Sequence, residues 1–222
     1  MKLLIASNNK HKIREISDVL KGKFDVVSLD EENIVCDPEE NGETFLQNAT
    51  IKANAVAKHT ALAVLADDTG LCVDALGGLP GVHSARFAGD HDNAQNRKKL
   101  LQMMTGTINR KAHFTCVVVL RYPDGKTIHA EGRVDGEILT EARGNNGFGY
   151  DSLFFCTELG KTFAEATEEE KKTPSATVAE RCTTCWKNCK RQKLFGKNFS
   201  FCAKNVNTYA QIADRTFPFQ AK

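Results

Sequence analysis

The 222-residue sequence lacks a long hydrophobic run, a recognisable targeting pattern at its N-terminus and any internal repeat. A membrane helix needs about 18 or more consecutive apolar residues, and a targeting segment needs a charged, then apolar, then small-residue succession. From these absences we expect a cytoplasmic protein that has no membrane partner.

The chain also lacks a strong overall charge, since its formal net charge at pH 7 is only +2. The charge is unevenly distributed, because residues 172–222 carry ten basic residues against two acidic ones, a net charge of +8. Residues 1–171 carry 20 basic against 26 acidic residues, a net charge of −6. A basic total would favour a nucleic-acid partner, but the acidic body of the chain predicts none.

The cysteines divide along the same boundary. Those of the body show no disulfide-framework spacing, and we expect reduced core residues in a reducing compartment. They are Cys36, Cys72, Cys116 and Cys156. The tail has Cys182, Cys185 and Cys189, followed by Cys202, a spacing that imitates a zinc site. A non-enzymatic protein that binds zinc or nucleic acid through this tail is therefore one alternative.

Two adjacent carboxylates, Asp67 and Asp68, follow an apolar run and precede Gly70. The pattern predicts a buried strand that delivers both carboxylates to its end, before a glycine turn. An unpaired carboxylate in apolar surroundings is costly, and a hard cation such as Mg²⁺ is one partner that would compensate it. A turn-capping role for the two residues is the alternative.

Ser7, Asn8 and Asn9 follow a short apolar run and precede a segment whose apolar residues have helical spacing. Strand, polar turn and helix N-terminus together present backbone N–H groups and a dipole that suit a phosphate, and Lys12 adds positive charge. An ordinary helix N-cap is the alternative interpretation of the three polar residues.

A lysine interrupts the apolar stripe of the next predicted helix. At helical spacing Phe45, Ala49, Lys52 and Val56 share one face. Lys52 either extends its ammonium to solvent at the edge of the stripe or meets a buried anion.

These three segments, together with the stretch from Gly147 to Asp151, closely resemble the inosine triphosphate pyrophosphatases, which act on non-canonical purine nucleotides. The resemblance covers about residues 1–171. It implies Mg²⁺-dependent hydrolysis of ITP, dITP or XTP to the monophosphate and pyrophosphate. It also implies a homodimer with an α/β fold, in which a long mixed sheet lies between two lobes and the substrate binds in the cleft. A related pyrophosphatase acting on modified pyrimidine or ordinary nucleotides is the alternative within this class.

The resemblance also implies roles for individual residues. Glu40 and Asp68 would hold the metal, and Asp68 would in addition activate water. The residues that would contact the nucleotide are Ser7, Asn8, Asn9, Lys12, Lys52, Thr69, Phe148, Gly149, Tyr150, Asp151 and Lys171. Phe148 would stack on the purine, and Lys52 would neutralise phosphate charge. A metal, lysines and a positioned water make up most of the machinery that phosphoryl transfer needs.

The resemblance stops after Lys171, where the family's Ser-His-Arg segment is missing. When the codons of residues 172–179 are read in the neighbouring frame, they can encode that segment, including Ile-Ser-His-Arg-Gly. One extra adenine in the codons of Glu170 and Lys171 would produce the sequence as written. We therefore expect a pyrophosphatase domain at 1–171, an out-of-frame tail at 172–222 and impaired recognition of the base.

The coarse pattern predicts a mixed sheet flanked by helices. Strands are predicted at 2–7, 24–28, 62–67, 71–74, 82–87, 112–122, 126–134 and 152–156. Helices are predicted at 10–21, 44–58 and 93–104, and from about Glu168. Arg86 is open to two interpretations, a structural ion pair or a contact between subunits, and neither His11 nor His113 is expected to be catalytic.

Overall fold

A computed structural model of the protein describes residues 2–89, 91–167 and 170. Within these residues one mixed sheet contains the strands β1 (Lys2–Ile5), β2 (Asp25–Ser28), β3 (Ala63–Val73), β4 (Lys111–Arg121), β5 (Thr127–Ile138), β6 (Phe154–Cys156) and β7 (Lys161–Thr162). Their order across the sheet is β2-β1-β3-β4-β5-β6-β7. The strand β1 is parallel to both β2 and β3, and every pair from β3 to β7 is antiparallel. The predicted mixed sheet is confirmed.

Three α-helices accompany the sheet, α1 (Lys10–Leu20), α2 (Phe45–Val56) and α3 (Asn93–Met103). Each is preceded by an N-cap residue whose side chain accepts at least one backbone N–H of the first turn, namely Asn9, Thr44 and Asp92. None of the helices in the described ranges is long and apolar enough to cross a membrane.

The two faces of β3 pack against different helices, because successive side chains of a strand point to opposite faces. Leu65 packs in a cluster with Ile16 of α1, whereas Val64 packs in a cluster with Ala53 of α2. Leu71, further along β3 on the same face as Leu65, belongs to a third cluster around Phe154 and Phe163. The residues of β3 between 65 and 71 on that face therefore lie in a strip between two hydrophobic clusters.

The predicted break in β3 is wrong. The separate strands expected at 62–67 and 71–74 are one strand, paired with β4 continuously from Val64 to Val73. Gly70 serves close packing here and not a turn, because a Cβ at that position would lie 2.3 Å from the carbonyl oxygen of Gly81 and 2.8 Å from Oγ of Ser84. Asp67 and Asp68 consequently lie in the middle of a strand and not at its end.

The strand predicted at 82–87 is also wrong, because the segment Gly81–Arg86 forms a 3₁₀-helix. Ser84 favours this conformation, since its hydroxyl donates to the carbonyl of Gly81 and accepts from the N–H of Leu71 in β3. The strands predicted at 112–122 and 126–134 are confirmed as the antiparallel pair β4 and β5, joined by a turn at Asp124-Gly125 in which the N–H of Gly125 donates to the carbonyl of Tyr122 at 3.0 Å. Glu168, where a further helix is predicted to begin, and residues 171–222 lie outside the described residues.

Candidate active site

Asp67 points to the α1 face of β3, where its charge is fully compensated. Its Oδ2 accepts a hydrogen bond from Nζ of Lys12 at 2.6 Å and another from the hydroxyl of Thr69 at 3.0 Å. The side chains of Asp67 and Lys12 are 2% and 16% exposed. This carboxylate therefore forms a buried ion pair and does not cap a turn.

The pair Lys12–Asp67 is held in its ionised form. Burial is the largest single effect on both groups, raising the pKa of Asp67 and lowering that of Lys12. The attraction between the two charges, the hydrogen bonds of the pair and the other nearby charges together outweigh it. The pKa of Asp67 consequently lies below its ordinary value and that of Lys12 above it.

Asp68 points to the opposite face of β3, toward α2. Its Oδ2 accepts from the side-chain amide of Asn48 at 3.1 Å, and its Oδ1 accepts from the backbone N–H of Thr69 at 3.1 Å. Nζ of Lys52 lies 3.6 Å from Oδ1 of Asp68 and 3.1 Å from Oε1 of Glu40. Lys52 is only 14% exposed, so its ammonium meets one buried carboxylate, Asp68, and one partly exposed carboxylate, Glu40, and does not extend to solvent.

Two carboxylates thus share one ammonium, which leaves the cluster of Glu40, Asp68 and Lys52 with an excess of negative charge. Burial raises the pKa of Asp68, and the charge of Lys52 only partly offsets that effect. Removal of a carboxylate from water disfavours its charged form. An additional cation near Asp68 would therefore be stabilised here.

The donor set fits Mg²⁺, since Mg²⁺ is typically bound by one or two carboxylates together with water and substrate phosphates. The ammonium of Lys52, in contact with both carboxylates, already marks a position where a cation is favourable. Within the described residues no group of three or more His, Cys, Asp or Glu side chains could hold a metal. Glu40 and Asp68 would thus leave most coordination positions to water and phosphate oxygens.

The polar turn before α1 is a capped helix start. The side chain of Asn9 accepts from the N–H groups of His11 and Lys12, at 3.0 and 3.3 Å. The hydroxyl of Ser7 accepts from the N–H of Asn9, and the amide of Asn8 donates to the carbonyl of Cys36. The N-cap interpretation is therefore correct for Asn9, and two of the N–H groups considered for a phosphate already have a partner.

Phe148 lies on a tight turn that is shaped by Asp151. The N–H of Phe148 donates to Oδ2 of the buried Asp151 at 3.1 Å. Gly147 has a φ of +80°, and a Cβ there would lie 2.2 Å from that same oxygen, so only glycine fits. The ring of Phe148 stacks on His11, with centroids 5.9 Å apart and an interplanar angle of 23°. The turn is thereby brought to the N-terminus of α1.

Tyr150 and Gly149, also predicted to contact the nucleotide, have partners within the protein. The hydroxyl of Tyr150 donates to the carbonyl of Ser84 at 3.0 Å, and the carbonyl of Gly149 accepts from Arg97 at 2.8 Å. Lys171 lies outside the described residues.

Comparison with known proteins decides the family. The Ham1 family matches residues 3–178 of the chain. The chain belongs to the Ham1 family. The dITP/XTP pyrophosphatase of Clostridium perfringens is 46% identical over 180 residues, which cover 77% of this chain and 88% of that protein. That of Leuconostoc mesenteroides is 48% identical and covers 79% and 90%. The structure of the Staphylococcus aureus Ham1 protein superposes with a TM-score of 0.72 at 37% identity, covering 86% of this chain and all of that one.

Sequence reasoning missed Asn48 at the site of this Ham1 chain, and for Arg86 it considered an ion pair or a subunit contact but not a hydrogen bond to a backbone carbonyl. Asn48 contacts Asp68, and Arg86 donates from Nη2 to the carbonyl of Glu40 at 2.6 Å. Asn48 lies four positions before Lys52, so helical spacing places both on one face and would have paired them. The contact of Arg86 joins segments 46 residues apart, and no local pattern predicts it.

Proposed function

We propose that this chain hydrolyses dITP, XTP and ITP to the monophosphate and pyrophosphate, at a site built around Glu40, Lys52 and Asp68. The observation that carries the proposal is the ammonium shared by two carboxylates of which one is buried, in a chain 46–48% identical to dITP/XTP pyrophosphatases. Phosphoryl transfer depends mainly on positioning and on the neutralisation of negative charge. Such a cluster is suited to both tasks.

Glu40 and Asp68 would hold Mg²⁺, which when bound neutralises phosphate charge and orients the attacking water. Asp68 also accepts the proton of that water, since a carboxylate oxygen within hydrogen-bond reach of a bound water is a competent general base. Asn48 and the N–H of Thr69 keep the carboxylate of Asp68 in a fixed orientation. Lys52 donates to the phosphates and offsets the charge that the leaving pyrophosphate develops.

The other predicted contacts form the rest of the proposed substrate site. Ser7, Asn8, Asn9 and Lys12 would surround the phosphates at the start of α1, with Thr69 near them on β3. The face of Phe148 would stack on the base, with Asp151 and its neighbours around it and Lys171 beyond. Stacking accepts any purine, so hydrogen bonds must select the base.

A homodimer, Mg²⁺ as the metal and a cytoplasmic location complete the proposal. Of the four cysteines predicted to lie in the core, Cys116 and Cys156 are buried, whereas Cys36 and Cys72 are only partly buried.

A substrate panel tests the reaction. The full chain is incubated with dITP, XTP, ITP, GTP and dATP, with Mg²⁺ or with EDTA, and pyrophosphate and orthophosphate are measured separately. We expect pyrophosphate, dependence on Mg²⁺ and loss of activity in Asp68→Asn. Release of orthophosphate alone, or activity that persists in EDTA, would contradict the proposal. Zinc bound in stoichiometric amount would instead support the alternative based on the cysteines of the tail.

A second comparison tests the proposed division at residue 171. A version with the reading frame restored after Lys171 regains the Ser-His-Arg segment, and a site that hydrogen-bonds its substrate can discriminate by up to ~10⁴–10⁵. We expect the restored chain to prefer ITP over GTP strongly and the chain as written to show little preference. Equal preference in both would show that the tail is genuine, and a source sequence without a spare adenine would argue the same.

A further inference from the structure

Asn48 of α2 is fully buried, with an exposure of 0%. Both ends of its amide are used: Nδ2 donates to Oδ2 of Asp68 at 3.1 Å, and Oδ1 accepts from the N–H of Gly42 at 2.8 Å. A buried amide has a large desolvation cost unless it is hydrogen-bonded. This residue therefore ties a strand in the sheet to a loop before its own helix.

The loop that Asn48 holds is the one that carries Glu40. Gly42 sits directly on the amide, since a Cβ at that position would lie 2.7 Å from Oδ1 of Asn48. Arg86 holds the same loop at a second point, donating to the carbonyl of Glu40 at 2.6 Å. The loop is consequently fixed at two points, Glu40 itself and Gly42 two residues later.

We infer that Asn48 is a positioning residue for the proposed cation site, which fixes the carboxylate of Asp68 and the loop of Glu40 relative to one another. The inference rests on the proposed function. Oδ2 of Asp68 is bound by the amide, and Oδ1, which accepts from the N–H of Thr69, lies 3.6 Å from Nζ of Lys52, the ammonium that also pairs with Glu40. Partners that orient metal ligands in this way are typically worth 10–100-fold in metal affinity.

The chemistry of the site requires an amide at position 48. A donor must face the carboxylate of Asp68, while an acceptor must face the N–H of Gly42. Aspartate keeps the shape and the acceptor but places a second carboxylate against Asp68. Alanine removes both bonds.

The test compares Asn48→Asp and Asn48→Ala with a control on the same helix, Gln47→Ala. Gln47 is the matched residue, because its side chain also accepts two loop N–H groups, those of Glu43 and Thr44, without contacting Asp68. Mn²⁺ is titrated into each full-length variant, with and without α,β-methylene-dITP. Binding is followed by water-proton relaxation, which separates protein-bound Mn²⁺ from Mn²⁺ held by nucleotide alone.

We expect both Asn48 variants to bind Mn²⁺ about 10–100-fold more weakly than the wild type and Gln47→Ala to bind it normally. Wild-type affinity in Asn48→Asp, or an equal loss in Gln47→Ala, would overturn the inference. Since Asn48→Asp preserves volume and the bond to Gly42, it remains informative if Asn48→Ala does not fold. Asp68→Asn separates the two ideas: unchanged Mn²⁺ binding there would refute the proposed metal site itself, whereas loss there without loss in the Asn48 variants would refute only the role of Asn48.

Discussion

Asp67 and Asp68 are adjacent, chemically identical and both buried, yet on the two faces of β3 their charges are compensated to different extents. On the α1 face, Asp67 has a lysine of its own and a pKa below the ordinary value. On the α2 face, Asp68 shares a lysine with Glu40 and has a raised pKa. A carboxylate that is already satisfied contributes to stability. One that is undercompensated retains the capacity to bind a cation or a proton, and the difference arises from the alternation of a strand.

The stability of the Asp67→Asn variant tests whether the compensated carboxylate on the α1 face contributes to folding. The substitution leaves the ammonium of Lys12 buried without a counter-charge, and breaking a buried ion pair in this way costs about 3–5 kcal/mol. Urea unfolding measures the loss. The double variant Asp67→Asn/Lys12→Met removes both charges, and we expect it to recover most of the stability. If the single variant is as stable as the wild type, the pair has no structural importance.

The activity of the Asp68→Asn variant tests whether the undercompensated carboxylate on the α2 face takes part in the reaction. The loss of the proposed metal ligand and proton acceptor should lower kcat by at least ~10²–10³, the loss typical of one electrostatic stabiliser. Because burial disfavours the charged form of Asp68, we expect the free energy of unfolding of the Asp68→Asn variant to be no lower than that of the wild type. Steady-state rates at saturating Mg²⁺, measured with urea unfolding, check both expectations. A normal rate would remove Asp68 from the mechanism.

Lys52→Ala should affect the triphosphate more than the product. Each close contact between lysine and phosphate contributes about 1.5–3 kcal/mol, the range for hydrogen bonds to charged groups. We therefore expect weaker binding of α,β-methylene-ITP by that amount and a smaller loss for IMP, both measured by calorimetry. The exposed Lys58, just beyond the same helix, is the matched control, and Lys58→Ala should leave both affinities unchanged. Equal losses for the two nucleotides would contradict the role assigned to Lys52.

The smallest effect concerns pH. The pKa of Asp67 is lowered by folding, so its contribution to stability is present above the unfolded value of about 3.8 and is lost as pH falls through the folded pKa. The pKa of Asp68 is raised, so its ionisation reduces stability as pH rises above that value. The gap in unfolding free energy between Asp68→Asn and Asp67→Asn should therefore widen from pH 3 to pH 7. A constant gap would show that the two sites do not differ in this way.

Local patterns were sufficient for the helices and the hairpin. The three α-helices were predicted to within two residues at each end, because capping residues and apolar spacing are local signals. The continuity of β3 was not predictable from the chain, since Gly70 has the composition of a turn and its actual role depends on Gly81 and Ser84. The 3₁₀-helix at Gly81–Arg86 depends on a bond to the same strand.

The candidate site divides similarly. Lys52 and Asp68 stood out because a charge inside or at the end of an apolar pattern is unusual, and Lys12 stood out because it follows a polar turn at a predicted helix N-terminus. Asn48 did not, since a neutral amide in a helix carries no such signal until the strand beside it is placed. The pairing of Lys12 with Asp67 also needed the fold, because the two residues are 55 positions apart.

Because β3 is continuous, its side chains alternate between the two faces of the sheet along its whole length, with a period of two residues. Inserting or deleting one residue before Asp67 would send every later side chain of the strand to the other face. Asp67 would then face Asn48 and Lys52, Asp68 would face Lys12, and Leu71 would leave the cluster of Phe154. Loop length on either side of the strand is free to drift over evolution, but the length of β3 before the two carboxylates can change only by pairs of residues.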